Sequence, residues 1–376
     1  MREDSLRRRL DKRKELGMLR TLKVHSEMVD FCSNDYLGFA RSPLLYKNIE
    51  DHCSKNRPRF AGSTGSRLLA GNSTFVEELE KSIARFHKAP SGLIFNSGYD
   101  ANIGLFSCVP RRDDLVLYDE YIHASIYDGM RLGKAETVSF RHNDLEDAER
   151  KMISARNLGN KRDIFIAVES VYSMDGDRVP LQEMARLCVR YDAKLIVDEA
   201  HATGVIGAGG AGLVNDLGLE EICFARLHTF GKALGCHGAI LLGSDVLRNY
   251  LINFARSFIY TTALPYHALA SVKCAYELLP MADKDRMELN DRIRQFGEAV
   301  DIPRPLSTSP IQCVIIPGNE NVKAVALQLQ HEGYDIRPIL SPTVPRGKER
   351  LRICLHAFNT REEVGALIKI LQRIIR

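Results

Sequence analysis

Lys232, in Thr229-Phe230-Gly231-Lys232, and Asp198, at the head of Asp198-Glu199-Ala200-His201, place a primary amine and a carboxylate after two hydrophobic segments. Asp198 closes the apolar run 193–197, which reads as a strand buried in a sheet. A carboxylate at such a strand's end points into the crevice where open α/β sheets bind ligands. Lys232 lies in a turn after a second short strand and can reach the same crevice. An amine held near a buried carboxylate is what pyridoxal 5'-phosphate (PLP) needs. The lysine condenses with the cofactor's aldehyde, and the aspartate keeps the pyridine nitrogen protonated so that the ring accepts electrons. Taken singly, the aspartate also reads as a cap and the lysine as a solvated side chain.

Further residues fit the same chemistry. Ser97-Gly98-Tyr99 follows the apolar segment 92–95 and precedes a helical pattern, so its backbone N–H groups form an anion site at a helix N-terminus. Tyr99 offers an aromatic contact to a ring. His123 follows a strand ending at Tyr118; it suits stacking on an aromatic cofactor and acid catalysis near its substrate face, or an ordinary helix start. Ser173 follows the run 164–169, with its hydroxyl available to a ring oxygen. His201, three residues after Asp198, stands beside the cofactor, supports Asp198 or caps the next turn. Thr229 suits a phosphate oxygen. Arg352 shares one face of a strand with Arg350, and its forked guanidinium suits an α-carboxylate or an ordinary salt bridge. The glycine-rich run 204–212 opens no clear helix and has no acidic residue after a second strand at the distance of a dinucleotide site, so it is read as a flexible loop after the Asp198 strand.

The elements that must position these groups alternate. A helix is expected over 75–87, with strands over 92–95, 114–118, 164–169, 194–198 and 238–242. Strands recurring between helices give a mostly parallel central sheet flanked by helices, an α/β fold. A helix over 2–16 and a strand over 29–32 precede it. A small α+β layer follows, with strands over 311–316, 334–339 and 351–355 and helices over 322–332 and the C-terminus. The expected division is an N-terminal helix and arm (1–40), a large cofactor-binding domain (41–275) and a small C-terminal α+β domain (276–376).

Composition sets the outer limits. With 376 residues, 45% hydrophobic and 27% charged, the chain reads as ordinary globular. A net charge of +4 gives no argument for nucleic acid. The basic stretch 7–14 is mixed with acids, unlike an acid-poor transit peptide, and reads as a solvated amphipathic helix. The longest uncharged run, 257–272, falls short of the ~18 apolar residues of a spanning helix. Nine scattered cysteines without a CxxC pair point to reduced thiols in the cytoplasm and to no metal site.

Several segments together resemble the α-oxoamine synthases, in the aspartate-aminotransferase fold group (fold type I) of PLP enzymes. They are Asn34-Asp35-Tyr36-Leu37-Gly38, Gly62-Ser63-Thr64-Gly65-Ser66-Arg67, Ser173-Met174-Asp175-Gly176-Asp177, Asp198 through Gly204, Thr229 through Lys232, and Pro342-Thr343-Val344-Pro345. The resemblance spans nearly the whole chain. It implies that Lys232 carries the cofactor, that Asp198 pairs with the pyridine nitrogen, and that His201 and Ser173 meet the ring-oxygen side. It assigns Thr229, Gly98 and Tyr99 to the cofactor and places His123 on the ring, facing substrate. Arg20, Asn34 and Thr343 become substrate contacts, and Arg352 binds the amino-acid carboxylate. A homodimer with a shared active site is implied, with Thr261 or Thr262 contributed by the partner. The implied reaction is decarboxylative condensation of an amino acid with an acyl thioester. The segments 63–71 and 342–345 lean to the biotin-pathway branch, which joins L-alanine to pimeloyl-CoA or its carrier-protein form. Glycine with acetyl-CoA is the alternative. One departure stands out: Leu340 occupies a position where some relatives carry arginine, and Arg337 is the available substitute. A non-catalytic subunit on the same fold is the contrasting class, and the presence of Lys232 argues against it.

Overall fold

The computed structural model describes residues 3–22, 24, 27–56, 61–157, 162–302 and 304–375. Its strands are, in chain order, β1 (Val29–Asp30), β2 (Ser91–Phe95), β3 (Leu115–Asp119), β4 (Glu136–Phe140), β5 (Ile164–Glu169) and β6 (Ala193–Asp198). They continue with β7 (Cys223–Thr229), β8 (Ala239–Gly243), β9 (Ile311–Ile315), β10 (Tyr334–Asp335), β11 (Arg337–Ile339) and β12 (Arg350–Cys354).

The chain divides into two compact units. The larger comprises Asp35–Ser173 and Arg178–Arg286. It holds a seven-stranded sheet in the order β2-β8-β7-β6-β5-β3-β4. Neighbours from β7 through β4 run parallel, while β8 is antiparallel to both β7 and β2. The sheet is thus mostly parallel and flanked by helices, as the sequence pattern requires. Strands β3 and β5, mostly apolar, are buried at every residue. Apolar runs of this kind can be satisfied only where both faces of a sheet are covered. One side of that cover is a cluster including Leu105, Phe106, Ile126, Phe165 and Ile196. Edge strand β4 was not legible in the sequence, because only Phe140 of its five residues is buried and no apolar rhythm marks it.

The smaller unit comprises the chain up to Asn34, Met174–Asp177 and the residues from Met287 onward. The expected boundary at 275/276 falls inside the helix Tyr266–Leu278, which belongs to the larger unit. In the smaller unit β9 and β12 pair antiparallel, with β11 on the outer edge of β12. The single strand expected over 334–339 is two: β10 pairs parallel with β1, and β11 pairs with β12. Pro338 has no N–H to give, which an edge strand tolerates. The N-terminal helix runs Asp4–Glu15 and buries no residue; position 2, where the sequence reading begins it, lies outside the described residues.

Candidate active site

Four parallel strands, β3, β5, β6 and β7, end on one edge of the sheet, and β2, antiparallel to β8, ends there too. The segments that follow carry His123, Ser173, His201, Lys232 and the Gly98–Tyr99 turn. Sheet topology alone therefore gathers these chemically active groups on one edge.

Asp198 is 6% exposed and is held from both sides. Its Oδ1 accepts from the backbone N–H of Ala200 at 2.9 Å, and its Oδ2 accepts from Asn102 Nδ2 at 3.0 Å. Two N–H donors hold the carboxylate aimed in one direction. Asn102 sits one turn beyond Gly98 on the helix Gly98–Cys108. Asn102 is a site residue the sequence reading missed, and its i+4 spacing from Gly98 was the available signal.

Lys232 Nζ lies 2.8 Å from His201 Nε2, and His201 Nδ1 lies 2.7 Å from the Tyr36 hydroxyl. Tyr36 lies in the motif Asn34-Asp35-Tyr36-Leu37-Gly38. His123 caps the helix Ala124–Leu132; its Nδ1 accepts from the Ser125 N–H at 3.2 Å and lies 2.8 Å from Ser125 Oγ. The Ser125 hydroxyl in turn accepts from Asn102 Nδ2 at 2.9 Å. Burial pushes the His123 imidazole below its usual range, Asp198 pulls it back up, and Lys232 adds to the depression. A neutral ring that accepts at Nδ1 carries its proton on Nε2.

Glu169 pairs in register with Asp198 across β5 and β6 and is also buried. Burial holds its carboxyl well above the ordinary carboxylate range; Asp198 adds to this, while Lys232 and the His123 N–H oppose it. Its Oε1 has no hydrogen-bond partner among the described residues.

The phosphate end is equally specific. Ser97 caps the helix Gly98–Cys108 by accepting from Asp100 N at 3.0 Å, a cap of about 1 kcal/mol. The first helical N–H groups remain available to an anion. A Cβ at Gly98 would meet Thr229 Cγ2 at 2.6 Å, so the turn and the threonine are built against each other. Tyr99 is about half-exposed, and its hydroxyl bonds to Asp128. Ser173 is buried beyond the end of β5. Behind the turn, Glu80 accepts from Ile94 N and pairs with Arg67 at 2.7 Å, fixing β2. An amine, an oriented carboxylate, a neutral imidazole and a helix N-terminus that only glycine allows together fit PLP. Lys232 would take its aldehyde, Asp198 its ring nitrogen, and Gly98 with Thr229 its phosphate.

Thr261 Oγ1 accepts from Asn96 Nδ2 at 2.9 Å, as does the carbonyl of Thr262, whose own side chain faces outward. In the smaller unit Arg352 Nη2 donates to Asn34 Oδ1 at 3.0 Å, and Arg20 Nη2 donates to Thr343 Oγ1 at 3.3 Å. Arg350, on the same face of β12, is buried and committed to Asp175. Arg337 is likewise engaged, with Asp335 at 2.7 Å.

Comparison with known proteins agrees with this geometry. The model of the aminotransferase class I and II family matches residues 26–371. An 8-amino-7-oxononanoate synthase from Emericella nidulans is 45% identical, covering 97% of this chain and 94% of that protein. Among solved structures, the 8-amino-7-oxononanoate synthase of Francisella tularensis superposes with a TM-score of 0.78 at 27% identity, covering 92% of this chain and 97% of that one. A serine palmitoyltransferase variant from S. paucimobilis with a bound PLP–myriocin aldimine gives 0.88 at 25% identity, covering 99% and 97%. With the family model spanning most of its length, the chain belongs to the aminotransferase class I and II family.

Proposed function

We propose that the chain is a PLP-dependent acyltransferase that catalyses the 8-amino-7-oxononanoate synthase reaction of biotin biosynthesis. L-Alanine and pimeloyl-CoA, or the carrier-protein thioester, give 8-amino-7-oxononanoate, carbon dioxide and the free thiol. The observation that carries this reading is the 45% identity over 97% of the chain to a synthase of that name. The juxtaposition of Lys232, His201 and Asp198 supports it.

When bound, PLP supplies an electron sink for the α-carbon of the amino acid. The remaining work belongs to the chain. Lys232 would hold the cofactor, and its freed amine would take the α-proton of alanine and later return it to the product. Asp198, fixed by Asn102 and Ala200, would hold the proton on the ring nitrogen. His123, neutral with its proton on Nε2, donates to the oxygen of the thioester carbonyl as charge develops there. Arg352, paired with Asn34, takes the amino-acid carboxylate before it leaves as carbon dioxide, and Arg20 with Thr343 contacts substrate.

The assembly is a homodimer acting in the cytoplasm, with Thr262 reaching the partner's site because Thr261 is engaged within its own chain. No helix among the described residues is long and apolar enough to cross a membrane.

Purified protein with PLP, L-alanine and pimeloyl-CoA should yield a product of the mass of 8-amino-7-oxononanoate. Alanine should exceed glycine and serine as co-substrate across an acyl-CoA series. Preference for glycine with acetyl-CoA, or for serine with a long-chain thioester, would overturn the assignment.

A further inference from the structure

Tyr36 has no part in the reaction so far. Its ring is fully buried, and its hydroxyl stands 2.7 Å from Nδ1 of His201, whose Nε2 stands 2.8 Å from the Lys232 amine. The three side chains form one continuous line of hydrogen bonds in which His201 is 4% exposed. We infer that Tyr36 is a positioning residue that fixes the tautomer of His201, and through it the protonation state of Lys232.

A neutral imidazole carries one proton, on Nδ1 or on Nε2. A charged ammonium at Lys232 donates to Nε2, so the ring proton lies on Nδ1 and points at the tyrosine oxygen. Only a neutral amine, which has a lone pair, can accept from Nε2–H, and the Nδ1 lone pair then accepts from Tyr36. A line that donates from Tyr36 toward the lysine therefore requires the neutral amine. A carboxylate or carbonyl beside Nδ1, the usual partner of a functional histidine, would accept only and so impose the ammonium arrangement. A phenol differs, because its oxygen lone pair is partly withdrawn into the ring. It donates well, accepts poorly, and retains its proton up to a pKa near ~10. Tyr36 therefore favours Nε2–H on His201 and the neutral amine, the form Lys232 needs both to meet an aldehyde and to take up a proton.

Other groups act on the same amine. Lys232 interacts electrostatically with Glu169 at the end of β5 and with His123 ahead of the next helix, and both of these also feel Asp198 at the end of β6. These groups are the same in a Tyr36 variant, so a difference between variant and parent isolates the hydroxyl. Phenylalanine at this position keeps the buried ring and removes only the hydroxyl.

The inference rests on Lys232 being the cofactor amine, and its test needs neither alanine nor a thioester. The rate at which cofactor-free protein takes up PLP, followed by the visible band of the lysine-bound cofactor, is measured against pH. Because only the neutral amine reacts, the alkaline rise in rate tracks its titration. In Tyr36→Phe the rise should move to higher pH by about half a unit to one unit, the consequence of losing one net hydrogen bond. Replacement by 3-fluorotyrosine, a stronger donor of nearly the same volume, should move it to lower pH. A role in packing alone would slow uptake at every pH without moving the rise. Superposed rises for parent and Tyr36→Phe, or a shift of both variants in the same direction, would overturn the inference and leave the substrate assignment untouched. Loss of the product assay with these shifts intact would do the reverse.

Discussion

Asn102 offers the sharpest quantitative test of how the ring-nitrogen carboxylate is held. Its Nδ2 supplies one of the two N–H groups on Asp198, the other being the Ala200 backbone, which a side-chain change leaves in place. Both residues are buried, so water cannot replace the lost donor without entering a packed site. A hydrogen bond to a charged group contributes roughly 1.5–3 kcal/mol, and about 1.4 kcal/mol is a factor of ten in rate. Asn102→Ala should therefore lower kcat/KM for the condensation by about 10- to 150-fold with the fold intact. Asn102 also donates to Ser125, which in turn holds His123, so a loss by that second route must be separated. Ser125→Ala removes the histidine branch alone and should cost clearly less, because the Ser125 backbone N–H still reaches His123. The assay is steady-state product formation, with circular dichroism as the check on folding. An Asn102→Ala enzyme within threefold of the parent would refute the argument, as would a Ser125→Ala loss equal to that of Asn102→Ala.

Further tests follow from the same geometry. Gly98→Ala places a Cβ against Thr229 Cγ2 and should weaken PLP binding roughly 5- to 150-fold, the range of a 1–3 kcal/mol overpacking cost. The double variant with Thr229→Ser, which deletes that methyl, should recover part of the loss in a spectroscopic titration; no recovery would put the clash elsewhere. Glu199, fully buried beneath the N–H groups of Leu213 and Val214, has its carboxyl pushed up to about 7 by burial. Because the folded state holds this proton more tightly than the unfolded chain, its contribution is present below about 4.5 and lost as pH rises through about 7. The loss amounts to roughly 3 kcal/mol. Urea midpoints at pH 5 and pH 8 should converge in Glu199→Gln relative to the parent, and an unchanged difference would contradict this. Arg352→Lys exchanges a planar fork for a point charge and should raise the KM for alanine about tenfold while leaving the cofactor spectrum unchanged. An unaltered KM would remove Arg352 from the substrate site.

Much of this was legible in the sequence, and what was not has identifiable causes. Apolar runs bounded by polar residues located β5 and β6 to within a residue, because strands buried on both faces leave no room for polar positions. Once those strands lie parallel, the residues after their ends must gather on one edge of the sheet, so Asp198 and Lys232 could be expected together there. Strand β4 escaped notice because an exposed edge imposes no apolar pattern. The break between β10 and β11 escaped because each half pairs with a different partner, a tertiary choice that the alternation of Tyr334, Asp335, Ile336 and Arg337 does not reveal. Asn102, Ser125, Tyr36 and Glu169 were missed as site residues for a related reason. Their roles depend on side chains meeting across distant segments, and their residue types, taken alone, fit a helix, a turn or a strand end equally well.

The Lys232 amine is the proposed carrier of PLP. Protein incubated with PLP, reduced with borohydride and digested should give a single peptide bearing the cofactor's mass, with fragmentation placing it on Lys232. The label on a different lysine, or no label on protein that folds normally, would contradict the account.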